Sequence, residues 1–130
     1  MLESKLNKLL ANYAVEYHKL QTLHWYVKDH AFFQTHAKLE DYYNEAYEAV
    51  DEIAEKLRMI GGKPLANMDE FKANATISEA KGEFVTQKQA FATAKADFEQ
   101  LLADVKDIKH DADEEDNYLI SDYGDRKSVV

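Results

Sequence analysis

Cysteine is absent from this sequence, proline occurs once, and glycine occurs four times in 130 residues. Without cysteine there is no disulfide and no thiolate metal site, a pattern that fits a reducing cytoplasm. With so few helix breakers, long uninterrupted helices are expected. No apolar run approaches the ~18 residues that a membrane span requires. The opening MLESKLNKLL lacks the apolar core of a secretory signal. Bases are also in short supply: 16 Lys and Arg stand against 25 Asp and Glu, a net charge of −9. An acidic surface repels phosphates and attracts cations. Metal ions are therefore a more natural partner than nucleic acid, and no membrane partner is expected.

Apolar residues make up 45% of the chain, with eight Tyr, six Phe and one Trp, enough for a core. The length suits a single domain over 1–130. A first helix is expected over 4–28, where Leu6, Leu10, Tyr13, Tyr17, Leu20 and His24 recur in steps of four and three. A second is expected over 33–60, with the stripe Leu39, Tyr43, Ala46, Val50, Ile53, Leu57 and Ile60. Gly61-Gly62 stops it and Pro64 prevents its resumption. A third runs from about 78 to 110 on Phe84, Phe91, Ala94, Phe98, Leu101, Val105 and Ile108, with Ser78 as a candidate N-cap. A fourth begins near 114 and reaches the chain end, with Tyr118, Leu119 and Tyr123 as candidate core residues. Four residues, 29–32, join the first two helices and force them to be antiparallel neighbours. The link over 61–77, with a possible short helix at 69–73, can span about 55 Å when extended. That exceeds the roughly 42 Å length of the second helix. One long crossover is the ferritin-like connection pattern. The expected fold is all-α: a ferritin-like four-helix bundle whose long crossover between helices two and three carries a short helix. Its fourth helix, about 26 Å long, is short.

His24, His36, Glu40, Asp51 and Glu55 carry the chemistry. Two imidazoles and three carboxylates are a first-row transition-metal ligand set. Around the centre of the 29–32 link, His24 and His36 are equidistant, so an antiparallel hairpin sets them face to face. Glu40 follows His36 by one turn, and Asp51 and Glu55 are also one turn apart. Fifteen residues of helix separate His36 from Asp51 by roughly 22 Å. They cannot share a metal within one chain. A two-fold partner running antiparallel would bring His24 and His36 of one chain against Asp51 and Glu55 of the other, making two sites per dimer. Taken singly, the acids read as a solvated helix face and a stripe histidine as a hydrogen-bonded core residue. No Glu-x-x-His occurs, which disfavours the di-iron centre that ordinary ferritin-like bundles build within one chain. His18, His30 and His110 are assigned no role.

The run His24-Trp25-Tyr26-Val27-Lys28, then Phe32-Phe33-x-x-His36, then Asp51-Glu52-Ile53-Ala54-Glu55-Lys56, then Ile60-Gly61-Gly62-Lys63-Pro64 resembles the Dps family of mini-ferritins. The likeness is strongest from about Leu9 to Ala73. It implies a hollow shell of twelve four-helix subunits built from two-fold dimers. It implies that iron, up to two per site, is oxidised between subunits with hydrogen peroxide and stored inside. The implied ligands are His24 and His36 from one chain and Asp51 and Glu55 from its partner, with Glu40 where the family often has an aspartate. Trp25 matches an aromatic residue that takes up oxidising equivalents. The acidic run 110–116, with Asp113 and Asp116, is similar in place to the family's iron channel. Many members carry a Lys-rich tail that binds DNA, whereas here the only early bases are Lys5 and Lys8. The expected function is thus a ferroxidase and iron store that guards against peroxide damage in the cytoplasm. The alternative is a nucleoid-associated DNA-binding protein, and a third possibility is a purely structural bundle.

Overall fold

The computed structural model describes residues 1–28 and 32–128, apart from the side chain of Phe32. The short link over 29–31, and His30 with it, lies outside the described residues. Among the described residues five helices follow in order: α1 (Leu2–Tyr26), α2 (Phe32–Met59), the short α3 (Met68–Asn74), α4 (Gln87–Glu114) and α5 (Tyr118–Lys127). The bundle is the expected one, with α3 on the crossover between α2 and α4.

Helix α1 is the axis of the structure and packs against α2, α3 and α4, while α5 packs on α4. Its sequence explains this position. Leu6, Leu9, Leu10, Ala11, Leu20 and Leu23 are buried, so apolar side chains leave α1 on more than one face. Near its N-terminus they join Ile53 and Leu57 of α2, Leu101 and Val105 of α4, and Ile120 and Tyr123 of α5. Near its C-terminus Leu20 and Leu23 join Leu39 and Ala46 of α2 and Ala90 and Ala94 of α4. Tyr13 and Phe98 pack against both clusters.

The polar side chains of α1 hold the crossover. Glu3 accepts the Lys63 N–H at 2.8 Å. Asn7 accepts the Leu65 N–H at 3.0 Å and donates to the Lys63 carbonyl at 3.0 Å. Asn12, fully buried, accepts the N–H groups of Thr76 and Ile77 at 2.7 and 3.1 Å. Each bond satisfies backbone that packing would otherwise strip of water. Helix α2 stops where expected: Gly61 adopts φ 81°, Gly61 N–H reaches Arg58, and Gly62 N–H reaches Leu57. That is a Schellman ending, which the left-handed glycine permits.

Two boundaries differ from the sequence expectation. Helix α4 begins at Gln87, not near 78, because Thr86 and Gln89 form a capping box there. The preceding residues are held extended. Lys28 N–H donates to the Val85 carbonyl and Val85 N–H to that of Tyr26, at 3.0 and 3.1 Å. Phe84 is therefore not a core residue of a helix but 65% exposed against Tyr26. At the other end α4 continues to Glu114 and α5 starts at Tyr118. Asp116 at φ 56° takes the left-handed place of a Schellman turn, its N–H reaching Asp113 and that of Asn117 reaching Ala112. Asn117 then caps α5. Tyr118 and Leu119, proposed as core, fall on the first turn and are exposed; Ile120 and Tyr123 are buried. Ten residues of α5 extend about 15 Å against about 42 Å for α4. Beyond its end, α2 and α4 flank an open groove of about 700 Å³ lined by Tyr42, Ala46, Phe91, Ala94, Phe98 and Leu102.

Glu16 is fully buried between α1 and α4. Burial pushes its carboxyl up to about 9; a hydrogen bond to Asp97 and the charge of Asp97 add to the rise, and Lys19 opposes it. Lys19 itself pairs with Asp97 at 2.9 Å. Folding therefore takes up a proton at neutral pH that the unfolded chain would not hold. The group's full contribution to stability is present below its ordinary value of 4.5 and is lost as pH rises toward about 9. Within that window the loss approaches about 1.4 kcal/mol per pH unit. Glu16→Gln keeps the shape and removes the titration. Denaturant unfolding at several pH values should give a clearly flatter stability profile for this variant between pH 6 and 8 than for the wild type. Parallel profiles would show that Glu16 is ionised in the fold.

Candidate metal centre

The antiparallel hairpin of α1 and α2 brings His24 and His36 together. Their rings stack with centroids 3.4 Å apart and planes 19° from parallel. His24 Nδ1 lies 2.6 Å from the His36 carbonyl, and His36 Nδ1 lies 2.7 Å from the His24 carbonyl. A carbonyl only accepts, so each Nδ1 carries the proton and donates it. In the neutral imidazoles the lone pair is then on Nε2, the atom a metal would take. This is the arrangement by which a carbonyl fixes the tautomer and orientation of a ligating histidine. His24 is 5% exposed and His36 half-buried. Glu40, one turn after His36, places Oε1 4.0 Å from His24 Nε2 and is half exposed.

Asp51 and Glu55 stand side by side, exposed, further along α2. A hydrogen bond to Asp51, and then the charge of Asp51, hold the Glu55 carboxyl above its usual range. Two carboxylates this close repel each other unless a proton or a cation lies between them. The two groups do not meet within the chain. Among the described residues, no three His, Asp or Glu side chains converge on a point that could hold a metal ion. Each chain thus presents a pair of oriented imidazoles at one place and a pair of mutually repelling acids at another.

Trp25 is 53% exposed, and its ring meets the edge of His18 at 6.2 Å. Tyr43 lies against His24, edge-on at 5.3 Å and 82°. Sequence periodicity placed Tyr43 on the buried stripe of α2 without linking it to the histidines. The available signal was its spacing: seven residues after His36, about two turns along the same face. In the acidic run, Asp113 is paired with Lys109 at 2.8 Å and hydrogen-bonded by the Ser121 hydroxyl. Lys109 first, then Ser121, hold its carboxyl below the usual range. Asp116 is exposed in the turn between α4 and α5. His110 faces Glu114 at 3.5 Å on the surface of α4.

Residues 3–124 match the ferritin-like domain. The chain is 38% identical over 117 residues to DNA protection during starvation protein 2 of Bacillus anthracis, covering 90% of this chain and 80% of that protein. It is 39% identical over 109 residues to General stress protein 20U of Bacillus subtilis (strain 168), covering 84% of this chain and 74% of that protein. The crystal structure of a Dps protein from Bacillus brevis superposes with a TM-score of 0.93 at 33% identity, over 98% of this chain and 85% of that one. Fold, hairpin and sequence agree that this chain belongs to the Dps branch of the ferritin-like family.

Proposed function

We propose that this protein, a single Dps-type domain, oxidises and stores iron at sites shared between two-fold-related subunits. The observation that carries this reading is the reciprocal hydrogen bonding of His24 and His36, which puts both lone pairs on Nε2. Two such nitrogens and a carboxylate pair from the partner make a set of four donors suited to Fe(II). The bonds to backbone carbonyls keep the rings from turning, and the Asp51–Glu55 repulsion favours a cation over two free acids. Glu40 stands within reach of a second iron at the same site. With two Fe(II) bound, hydrogen peroxide takes one electron from each and two protons, leaving two Fe(III) and two waters. Electrons delivered in pairs release no hydroxyl radical. Dimers of this kind close into the dodecameric shell of the family, in the cytoplasm. The alternative, compaction of nucleoid DNA, is disfavoured by the charge of −9. The relatives' name, DNA protection, is compatible with removal of iron and peroxide rather than coating of DNA.

Three outcomes test this reading. Mixing a His24→Ala/His36→Ala chain with an Asp51→Ala/Glu55→Ala chain should restore part of the Fe(II) oxidation rate, since hybrid dimers carry one complete site. No recovery from two folded, exchanging variants would exclude the shared site. Asp51→Asn, nearly isosteric, should slow oxidation at limiting iron by about tenfold or more, because it removes an anionic hard ligand. An unchanged rate would take Asp51 off the ligand set. In a gel shift at about 150 mM salt with chelator, the assembled protein should leave duplex DNA unretarded, because phosphate affinity rests on Lys and Arg. A tight complex would favour the nucleoid alternative.

A further inference from the structure

Three tyrosines continue from the buried histidine. Tyr43 meets the edge of His24 at 5.3 Å. Tyr17 of α1 meets Tyr43 at 5.9 Å and 71°. Tyr47 meets Tyr17 at 5.2 Å and 46°. The rings run in unbroken contact away from the imidazole pair. Tyr17 and Tyr43 are half-buried, while Tyr47 is 61% exposed in the single chain.

The position of Tyr47 on α2 gives the row a destination. It lies about 20° around the helix from Glu40 and about 40° from Asp51, so all three share one face. In the antiparallel pairing that completes the shared site, the segment 36–40 of each chain sits against 51–55 of the other. The two-fold axis then crosses α2 halfway between them, near residues 45 and 46. Tyr47 is within about 2 Å of that level. The partner subunit's Tyr47 would be offset by only about 4–5 Å along the helix. Helices packed at 8–10 Å bring side chains of this length together.

We propose that Tyr43, Tyr17 and Tyr47 form an electron relay that joins the two iron sites of one dimer through the two-fold axis. This rests on the shared-site reading above. The relay acts when a site holds a single iron. Peroxide then takes one electron from Fe(II) and the second from a tyrosine: H2O2 + Fe(II) + Tyr–OH + H+ gives Fe(III) + Tyr–O• + 2 H2O. The radical passes along the row and is quenched at the twin site: Tyr–O• + Fe(II) + H+ gives Tyr–OH + Fe(III). The sum is the two-electron reaction with one iron drawn from each site. Phenylalanine would pack equally well at all three places but cannot be oxidised by this couple. Trp25 is off this row, since its ring contacts His18.

The test uses the full chain in its assembled form, loaded with Fe(II) below one ion per site, mixed with hydrogen peroxide and frozen within milliseconds. Electron paramagnetic resonance should show a tyrosyl radical whose line shape changes when the protein carries ring-deuterated tyrosine. Tyr43→Phe keeps the ring and its packing beside His24 but should lower the radical yield several-fold and raise hydroxyl radical release to a spin trap, whereas Tyr17→Phe should strand the radical on Tyr43 and slow its decay. Tyr118→Phe, on the exposed first turn of α5, should change neither readout. A wild type that oxidises iron without a tyrosyl signal overturns the relay and leaves the iron reading standing. A signal that survives Tyr43→Phe, that decays as fast in Tyr17→Phe as in the wild type, or that disappears in Trp25→Phe, also overturns it. Absence of both oxidation and radical, at full as well as partial iron loading, overturns the proposed function and the relay with it.

Discussion

Each of His24 and His36 gives its Nδ1 proton to the other's backbone carbonyl, and the rest of the site depends on that exchange. An imidazole on a buried stripe has two nitrogens to satisfy, and leaving one stripped of water and unpaired is expensive. Here one atom of each ring is satisfied by the neighbouring helix. The same bonds tie the last turn of α1 to the first turns of α2. They also decide the tautomer, and with it the nitrogen that faces a metal. A single pair of contacts thus serves folding, ring orientation and ligand chemistry. Replacing either histidine removes a donor from the other's carbonyl as well as a proposed ligand.

That local arrangement works because α1 is held in register by the whole length of the crossover. Glu3, Asn7 and Asn12 take up backbone N–H groups at residues 63, 65 and 76–77. The chain is laid along α1 in steps, then pinned at its C-terminus where Val85 pairs with Tyr26 and Lys28. The capping box at Thr86 launches α4 from that point. Side-chain acceptors spaced along one helix therefore set where the next long helix begins. The buried Glu16, Lys19 and Asp97 cluster adds a different constraint. Three ionisable groups in a core are poor stabilisers, but they admit few alternative pairings of α1 with α4.

What was legible in the sequence was what depends on periodicity and on glycine. The stripes of α1 and α2 follow from steps of three and four, and the end of α2 from Gly61. Alignment of His24 with His36 followed from the symmetry of a short hairpin. The start of α4 was missed because Ser78 and Thr86 are both plausible caps by residue type. The choice between them is made by Val85, whose partners Tyr26 and Lys28 lie at and just beyond the end of α1 and are distant in sequence. The end of α4 was missed because its left-handed turn residue is Asp116 rather than glycine. Tyr118 and Leu119 look apolar enough for a core, yet the turn at Asp116 starts a new helix whose first turn faces outward and whose Ile120 and Tyr123 face inward. The contact of Tyr43 with His24 needs the relative rotation of two helices, which a single stripe does not contain.

A rigid helix explains why the proposed iron chemistry would need assembly. α2 holds its imidazole at 36 and its acids at 51 and 55 on a rod that cannot fold back, so neither half can complete itself. In the half with two acids, a hydrogen bond to Asp51 and then the charge of Asp51 raise the carboxyl of Glu55. A proton relieves that repulsion, and so does a cation. In the proposed dimer the two compete directly. Fe(II) competes with protons for the Asp51–Glu55 pair, and an imidazole binds a metal only through a free lone pair. Both requirements act in the same direction, since protons compete with a metal at every donor of this kind. Metal uptake at a site of this composition is therefore coupled to proton release. It is also coupled to subunit association, because a cation shared by two chains stabilises the dimer that creates its site.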